Sequence, residues 1–177
     1  MRQRDKKKMH LIIDGYNLLH VAHSLIHFDS NQLQWERDRL VDQLSAYQRL
    51  KPCGITVVFD GWQGGWSTEK REKKKGIELV FSKLGEKADE VIKRLVKEKG
   101  SGAIVITSDR DIARFAEGLR VSVISSEHFC EKIDRSSIEF DENPGGEAVE
   151  EREGKRKGLS RRLSKKEKRA RAALKKL

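Results

Sequence analysis

The residues best placed to do chemistry are acidic, and they recur where apolar runs end. Asp14 follows Leu11-Ile12-Ile13, and Asp60 follows Val57-Val58-Phe59. Asp109 and Asp111 follow Ile104-Val105-Ile106 by way of Thr107 and Ser108. Asp89 stands inside Ala88-Asp89-Glu90-Val91-Ile92, and Asn17 lies three residues after Asp14. If Asp14, Asp89, Asp109 and Asp111 meet in space, their charges repel, and either some pKa values rise or a cation enters. Arg110 is the basic residue inside these motifs, and its side chain should diverge from both neighbours. That favours a metal over a salt bridge. Carboxylate oxygens and retained waters suit magnesium or manganese. A metal held this way can activate water or stabilise a leaving oxygen in phosphodiester cleavage.

Each residue also has a structural reading. An Asp after a strand is often a turn residue or a helix cap. Asp109 could favour the positive end of its own helix. Asp60 precedes Gly61 and could form a turn. Asn17 could cap a helix, or offer a neutral oxygen to metal or substrate. The convergence of several such residues is what argues for a site.

Convergence depends on the elements that carry them. The apolar runs at 9–13, 55–59, 77–81, 103–107 and 120–124 read as strands. Segments 31–50, 86–99 and 109–117 read as helices, and another begins at Ser126. Ser30 is expected to cap the first of these and Ser108 the third. The 61–76 segment, with Gly64-Gly65 and the basic run 70–75, reads as a loop. Strands alternating with helices predict an α/β fold with a mostly parallel sheet covered on both faces. In such a sheet the strand carboxyl ends share one edge, and ligands bind outside it. Asp89 should sit at the rim of its helix's buried face, within reach of that edge, whereas Glu90 points away.

Charge divides the chain. Residues 1–150 carry 25 Lys and Arg against 25 Asp and Glu, so they are neutral. Residues 151–177 carry 13 basic and 3 acidic residues and supply the whole net charge of +10. A neutral globule with a cationic tail points to a polyanion, with nucleic acid favoured. The other reading of the tail is a solvated segment with no specific partner. The expected organisation is a basic extension at 1–8, a domain at 9–136, a polar acidic linker at 137–153 and a basic tail at 154–177. In the tail, Ser164-Lys165-Lys166-Glu167 matches a capping box, and Leu163, Ala170, Leu174 and Leu177 line one side of a helix. A helix that short is expected to form only on a partner.

Cys53 and Cys130 lie far apart, which argues against a disulfide framework or zinc site and for a reducing cytosol. The three-residue apolar run before Asp14 is too short for a signal peptide. Candidate RNA contacts are Trp62 and Trp66, which could stack on bases, and Lys70, Arg71, Lys73, Lys74 and Lys75, which could meet phosphates. Either tryptophan could instead fold back onto the core. Arg110 and the tail residues Arg161, Arg162, Lys165, Lys166 and Arg169 complete this set.

The motifs Leu11-Ile12-Ile13-Asp14-Gly15-Tyr16-Asn17, Val58-Phe59-Asp60-Gly61, Ala88-Asp89-Glu90-Val91-Ile92 and Thr107-Ser108-Asp109-Arg110-Asp111 resemble the NYN domain family of the YacP-like type, within the PIN-like nuclease group. The resemblance covers roughly residues 9–135 and leaves the cationic tail outside. It implies a three-layer α/β/α PIN-like fold and a magnesium- or manganese-dependent ribonuclease. Some relatives look like ribosome-associated endonucleases that cut messenger RNA. By carry-over, Asp14, Asp89 and Asp109 are metal ligands, Asp111 resembles a fourth acidic position, and Asn17 orients metal or substrate. Asp60 matches the YacP-type pattern without a clear role. The competing reading is a non-catalytic RNA- or ribosome-binding protein on the same fold. Haloacid dehalogenase-like phosphoryl transfer needs Asp-x-Asp after the first strand, where this chain has Asp14-Gly15-Tyr16. A Walker glycine-lysine loop is also missing.

Overall fold

In the computed structural model, residues 9–23, 30–61, 66–142 and 165–175 are described. Trp62, Arg161, Arg162 and the 1–8 extension lie outside them. The elements run β1 (His10–Asp14), α1 (Gly15–His23), α2 (Ser30–Leu50), β2 (Gly54–Phe59), β3 (Lys70–Lys74), β4 (Ile77–Phe81), α3 (Ala88–Lys99), β5 (Ala103–Ile106), α4 (Arg110–Gly118), β6 (Ser122–Ile124), α5 (Ser126–Glu142) and α6 (Lys165–Leu174). The strands form one sheet in the order β3-β4-β2-β1-β5-β6. Every pairing is parallel except β3 with β4.

Strand alternation sorts the apolar residues into two cores. Leu11 and Ile13, Ile55, Val57 and Phe59, and Ile104 and Ile106 face α1, α2 and α5. Ile12, Val58, Val80 and Val105 face α3 and α4. The central strands are buried on both sides, which explains their unbroken apolar runs. The result is the expected three-layer α/β/α arrangement. After β1 the chain adds β2 on one side and later β5 on the other. A crevice therefore opens at the end of β1, where Asp14 stands.

The basic run is not loop. Lys70–Lys74 forms an edge strand antiparallel to β4. Lys75 and Gly76 close the hairpin with φ of 51° and 87°, the two left-handed residues that a tight hairpin turn favours. An all-charged strand gives no apolar signal, and charge on an edge opposes pairing with other chains. Helix α4 is capped by Asp109 rather than Ser108: its carboxylate accepts from the backbone N–H of Asp111 (2.8 Å) and Ile112 (3.0 Å). Helix α5 continues through Glu142, into the stretch expected as linker.

The tail helix has a packing surface within its own chain. α6 lies against β6, with Ala173 buried in the α1–α2–α5 core and Leu174 packed beside it. Its own sheet edge supplies the apolar surface that a short helix needs. Arg169 and Ala173 line a cleft with Met9, Ala103 and Ser122, at the starts of the strands. That end of the sheet is opposite Asp14, on the order of 13 Å away for a four-residue strand. Cys53 and Cys130 are free thiols, the first buried and the second half-buried. Among the described residues, no helix is long and apolar enough to cross a membrane.

Candidate active site

Asp14 is the hub of the carboxyl edge. Its Oδ1 accepts from the backbone N–H of Asn17 (3.2 Å), in the first turn of α1. Its Oδ2 accepts from the Thr107 hydroxyl (3.1 Å), just past β5. The same Thr107 oxygen accepts from the Asp109 N–H (3.1 Å), so one buried hydroxyl ties two of the carboxylate-bearing segments together. The Asp14 carboxyl is pushed up to about 6, chiefly by burial; its two hydrogen bonds oppose the rise, and the charges of Asp89 and Asp109 add to it. Burial also raises Asp89, as do the charges of Asp109 and Asp60, while Lys93 opposes them. Side chains 14, 89 and 109, remote in sequence, thus lie within one another's electrostatic reach.

Asp60 reaches that edge for a different reason. Its Oδ1 accepts from the first backbone N–H of α3, on Ala88 (3.0 Å), and from the Ser82 hydroxyl (3.2 Å). Lys87, the residue that precedes α3, makes no side-chain cap. Asp60 therefore caps α3 from the end of β2 and so sets where Asp89 stands. Gly61 is required beside it, because a Cβ there would sit 1.9 Å from the Ser82 carbonyl oxygen.

Asn17 is committed to structure. Its Oδ1 accepts from the Ser108 N–H (2.9 Å) and the Ser126 hydroxyl (2.6 Å). That pairing engages the same side-chain oxygen that could face metal or substrate, and it clamps α1 to the starts of α4 and α5. Ser108 Oγ accepts from the Ser126 N–H (3.1 Å) and donates to Glu127 (2.6 Å). Thr107, Ser126 and Glu127 were not among the candidate site residues, and Ser108, expected as a helix cap, binds across the edge instead. The signal was present: Ser126 and Glu127 also follow a strand, and the same rule puts them on this edge. Asp111 stands outside the group, with its side chain 80% exposed and 4.0 Å from Arg114. Arg110 is exposed on the same turn.

The chemistry of the donors suits a hard divalent cation, since all are carboxylate oxygens in a partly buried, mutually repelling set. As the side chains stand, however, no three His, Cys, Asp or Glu among the described residues are gathered closely enough to hold an ion.

The expected RNA-binding surface is changed more. Trp66 is half-buried, meets Phe81 edge to face with ring centres 5.5 Å apart, and has the Lys70 ammonium 4.5 Å from its ring centre. It folds back on the core instead of presenting a free face. Most of the cations of the 70–75 run meet carboxylates of the chain itself: Lys70 with Glu72, Arg71 with Glu69 and Glu78, Lys74 with Asp38, and Lys75 with Asp42. Lys73 is exposed. Of the tail residues, Arg169 is exposed on α6, while Lys165 and Lys166 open that helix.

The sequence model of the YacP-like NYN domain matches residues 11–176. The chain belongs to that family. The match includes α6, so the basic tail is part of the family's pattern and not an addition to it. YacP of Bacillus subtilis, a protein described as uncharacterized, is 31% identical over 102 residues, which take in 56% of this chain and 59% of that one. The aligned region is thus less than two-thirds of that relative. A crystal structure of Rae1 (YacP) from Bacillus subtilis superposes with a TM-score of 0.55 at 26% identity, covering 76% of this chain and 83% of the other. A point mutant of Rae1 gives a TM-score of 0.64 at 22% identity over 76% and 80%, a likeness of fold. The family is an RNA-related nuclease family of PIN-like type.

Proposed function

We propose that this YacP-like NYN protein is a divalent-metal-dependent ribonuclease that cuts single-stranded RNA internally. The observation that carries the reading is the mutual electrostatic influence of Asp14, Asp89 and Asp109 at one sheet edge. Fixed carboxylates in a partly buried site cost stability unless a cation or a proton offsets them. A site kept in that condition is poised for a metal. Asp14, Asp89 and Asp109 would hold magnesium or manganese after rotation about their own side-chain bonds. Asp111, two residues after Asp109, is the fourth acidic candidate. The metal would supply a water of lowered pKa and a counter-charge for the phosphate.

The chain's own groups do the positioning. Thr107 holds Asp14 and the Asp109 backbone, and Asp60 sets the start of α3. Asn17 locks α1 to the loop after β5. Surface ion pairs are worth about 0–1 kcal/mol each, so RNA phosphates can exchange with the carboxylates along β3 at little cost. With α6 at the far end of the sheet, its cations serve substrate anchoring at a distance from the cut. The cytoplasm and ribosome-bound messenger RNA are the expected setting. Co-sedimentation with ribosomes through a salt series tests that part independently.

Purified protein should cleave a single-stranded oligoribonucleotide with Mg2+ or Mn2+, and EDTA should stop it. Asp14→Asn should lower the rate at least a hundredfold while keeping the fold by circular dichroism. Equal cutting by that variant would sink the mechanism and leave the non-catalytic RNA-binding reading.

A further inference from the structure

The turn between β4 and α3 stands on the carboxyl edge and is braced from several directions. The Lys83 carbonyl accepts from the Glu86 N–H (3.0 Å), and Gly85, the third residue of the turn, has a φ of 81°. That is the pattern of a type II turn. The Leu84 N–H donates to the Trp66 carbonyl (2.8 Å), and the Ser82 N–H to that of Phe59 (3.0 Å). Ser82, just before the turn, is fully buried, and its hydroxyl donates to Asp60. Ala88, just after it, donates to the same Asp60 oxygen. Both ends of the turn are thus fixed to one carboxylate of the site.

This rigid turn displays two cations and an apolar tip. Leu84 is 62% exposed, and a Cβ on Gly85 would meet nothing within 4 Å, so the tip stands clear of the protein. An exposed leucine alone means little. This one lies between Lys83 and Lys87, which are both exposed, and among the described residues no carboxylate pairs with either. The acid of the turn, Glu86, is taken by Arg94 (2.7 Å), and Glu90 in the first turn of α3 by Lys93 (3.4 Å). The 70–75 run differs, since Lys70, Arg71, Lys74 and Lys75 each meet a carboxylate.

Position ties the turn to the site. Lys87 comes two residues before Asp89, so their Cα atoms are at most about 7 Å apart. The first N–H of α3 is already spent on Asp60, which leaves the lysines to supply the pull on an anion here. Ammonium groups without carboxylate partners neutralise phosphates without first breaking an ion pair. An apolar side chain can pack against the flat face of an unpaired base. Cations flanking an apolar tip match a strand whose phosphates and bases alternate.

We propose that the Lys83–Lys87 turn is a lip that grips single-stranded RNA beside the cut: Lys83 and Lys87 bind phosphates neighbouring the scissile one, and Leu84 wedges against an unpaired base. The lip rests on the ribonuclease reading.

The test uses the full chain carrying Asp14→Asn, with EDTA present, so that RNA stays intact. Binding of a fluorescent single-stranded oligoribonucleotide is followed by anisotropy from about 50 to about 300 mM salt, a range chosen to resolve counterion release. Adding Lys83→Gln with Lys87→Gln should weaken binding about tenfold and lower the salt slope by about 1.4, at about 0.7 per phosphate of a single strand. Leu84→Ser should weaken binding about threefold with the slope retained. Lys51→Gln removes an equally exposed cation at the starts of the strands and should leave the slope at the parental value. A parental slope in the double lysine variant overturns the lip, and so does a slope that falls as much per charge in Lys51→Gln, because net charge alone would then explain it. Parental affinity in Leu84→Ser overturns the wedge and leaves that leucine to a protein partner. Should the double variant fail to fold, Lys83→Gln alone carries the test, with an expected slope change of about 0.7. RNA cleavage by the wild type together with a parental slope in the lysine variant defeats the lip only. A wild type that neither binds nor cuts RNA defeats the ribonuclease reading and the lip with it.

Discussion

Asp14 shows how a single side chain can be costly to the fold and useful to the site. Its carboxyl titrates at about 6 in the folded chain, against an ordinary value of 3.8. The folded state therefore holds this proton more tightly than the unfolded state does. Between about pH 4 and 6 the native chain binds more protons, so stability falls as pH rises through that window and the loss is complete above it. For the metal-free protein the size is on the order of 1–3 kcal/mol. Asp14→Asn should accordingly raise the melting temperature at pH 7.5 in EDTA, by several degrees, and the gain should vanish near pH 4. Melting curves across that range check it. A divalent ion added to the wild type at pH 7.5 should recover part of the same stability, because it offsets the same charge.

At the scale of elements, placement depends on hydrogen bonds made between segments. Helix α3 brings Asp89 to the edge, but its start is held by Asp60 from β2, with no cap of its own. Asp60→Asn keeps an acceptor oxygen and should retain most of the stability. Asp60→Leu should cost about 1–2 kcal/mol in chemical denaturation, as other lost helix caps do. It should also slow cutting more than Asp60→Asn does, because Asp89 is carried with the helix. Equal stability for the two variants would show that the Ala88 hydrogen bond holds nothing. The Asn17 clamp is the same device on the other flank, joining α1, the loop after β5 and the start of α5 through one amide oxygen.

Across the whole molecule, the basic tail and the acidic edge occupy opposite ends of the sheet. Removing residues 164–177 would therefore strip a core-packing helix as well as positive charge, since Ala173 is buried. That truncation should lower the melting temperature and leave β6 uncovered. Neutralising the exposed Lys168, Arg169 and Lys175 to Gln separates the two effects. The triple variant should melt within a few degrees of the wild type, yet bind RNA with a salt slope reduced by about two to three. An unchanged slope would remove α6 from the RNA-binding surface. Net charge says that a polyanion is attracted; only the docking of α6 says from which side.

The amino-acid sequence by itself determined the layer order and the edge. Apolar runs buried on both faces can only be central strands of a covered sheet, and acids at their ends must then share one rim. Asp14, Asp60 and Asp109 could be placed on that ground, because the rule is local in sequence and global only through the parallel sheet; Asp89 needed the apolar face of its own helix. What the tertiary structure decided were pairings between side chains far apart in the chain. No spacing reveals that Asp60 caps a helix 28 residues later, that Asn17 spends its oxygen on Ser108 and Ser126, or that Trp66 turns inward to Phe81. The charged strand β3 and the docking of α6 were hidden for one physical reason. Neither carries a strong apolar pattern of its own; each is held by a neighbour, β4 in one case and β6 in the other.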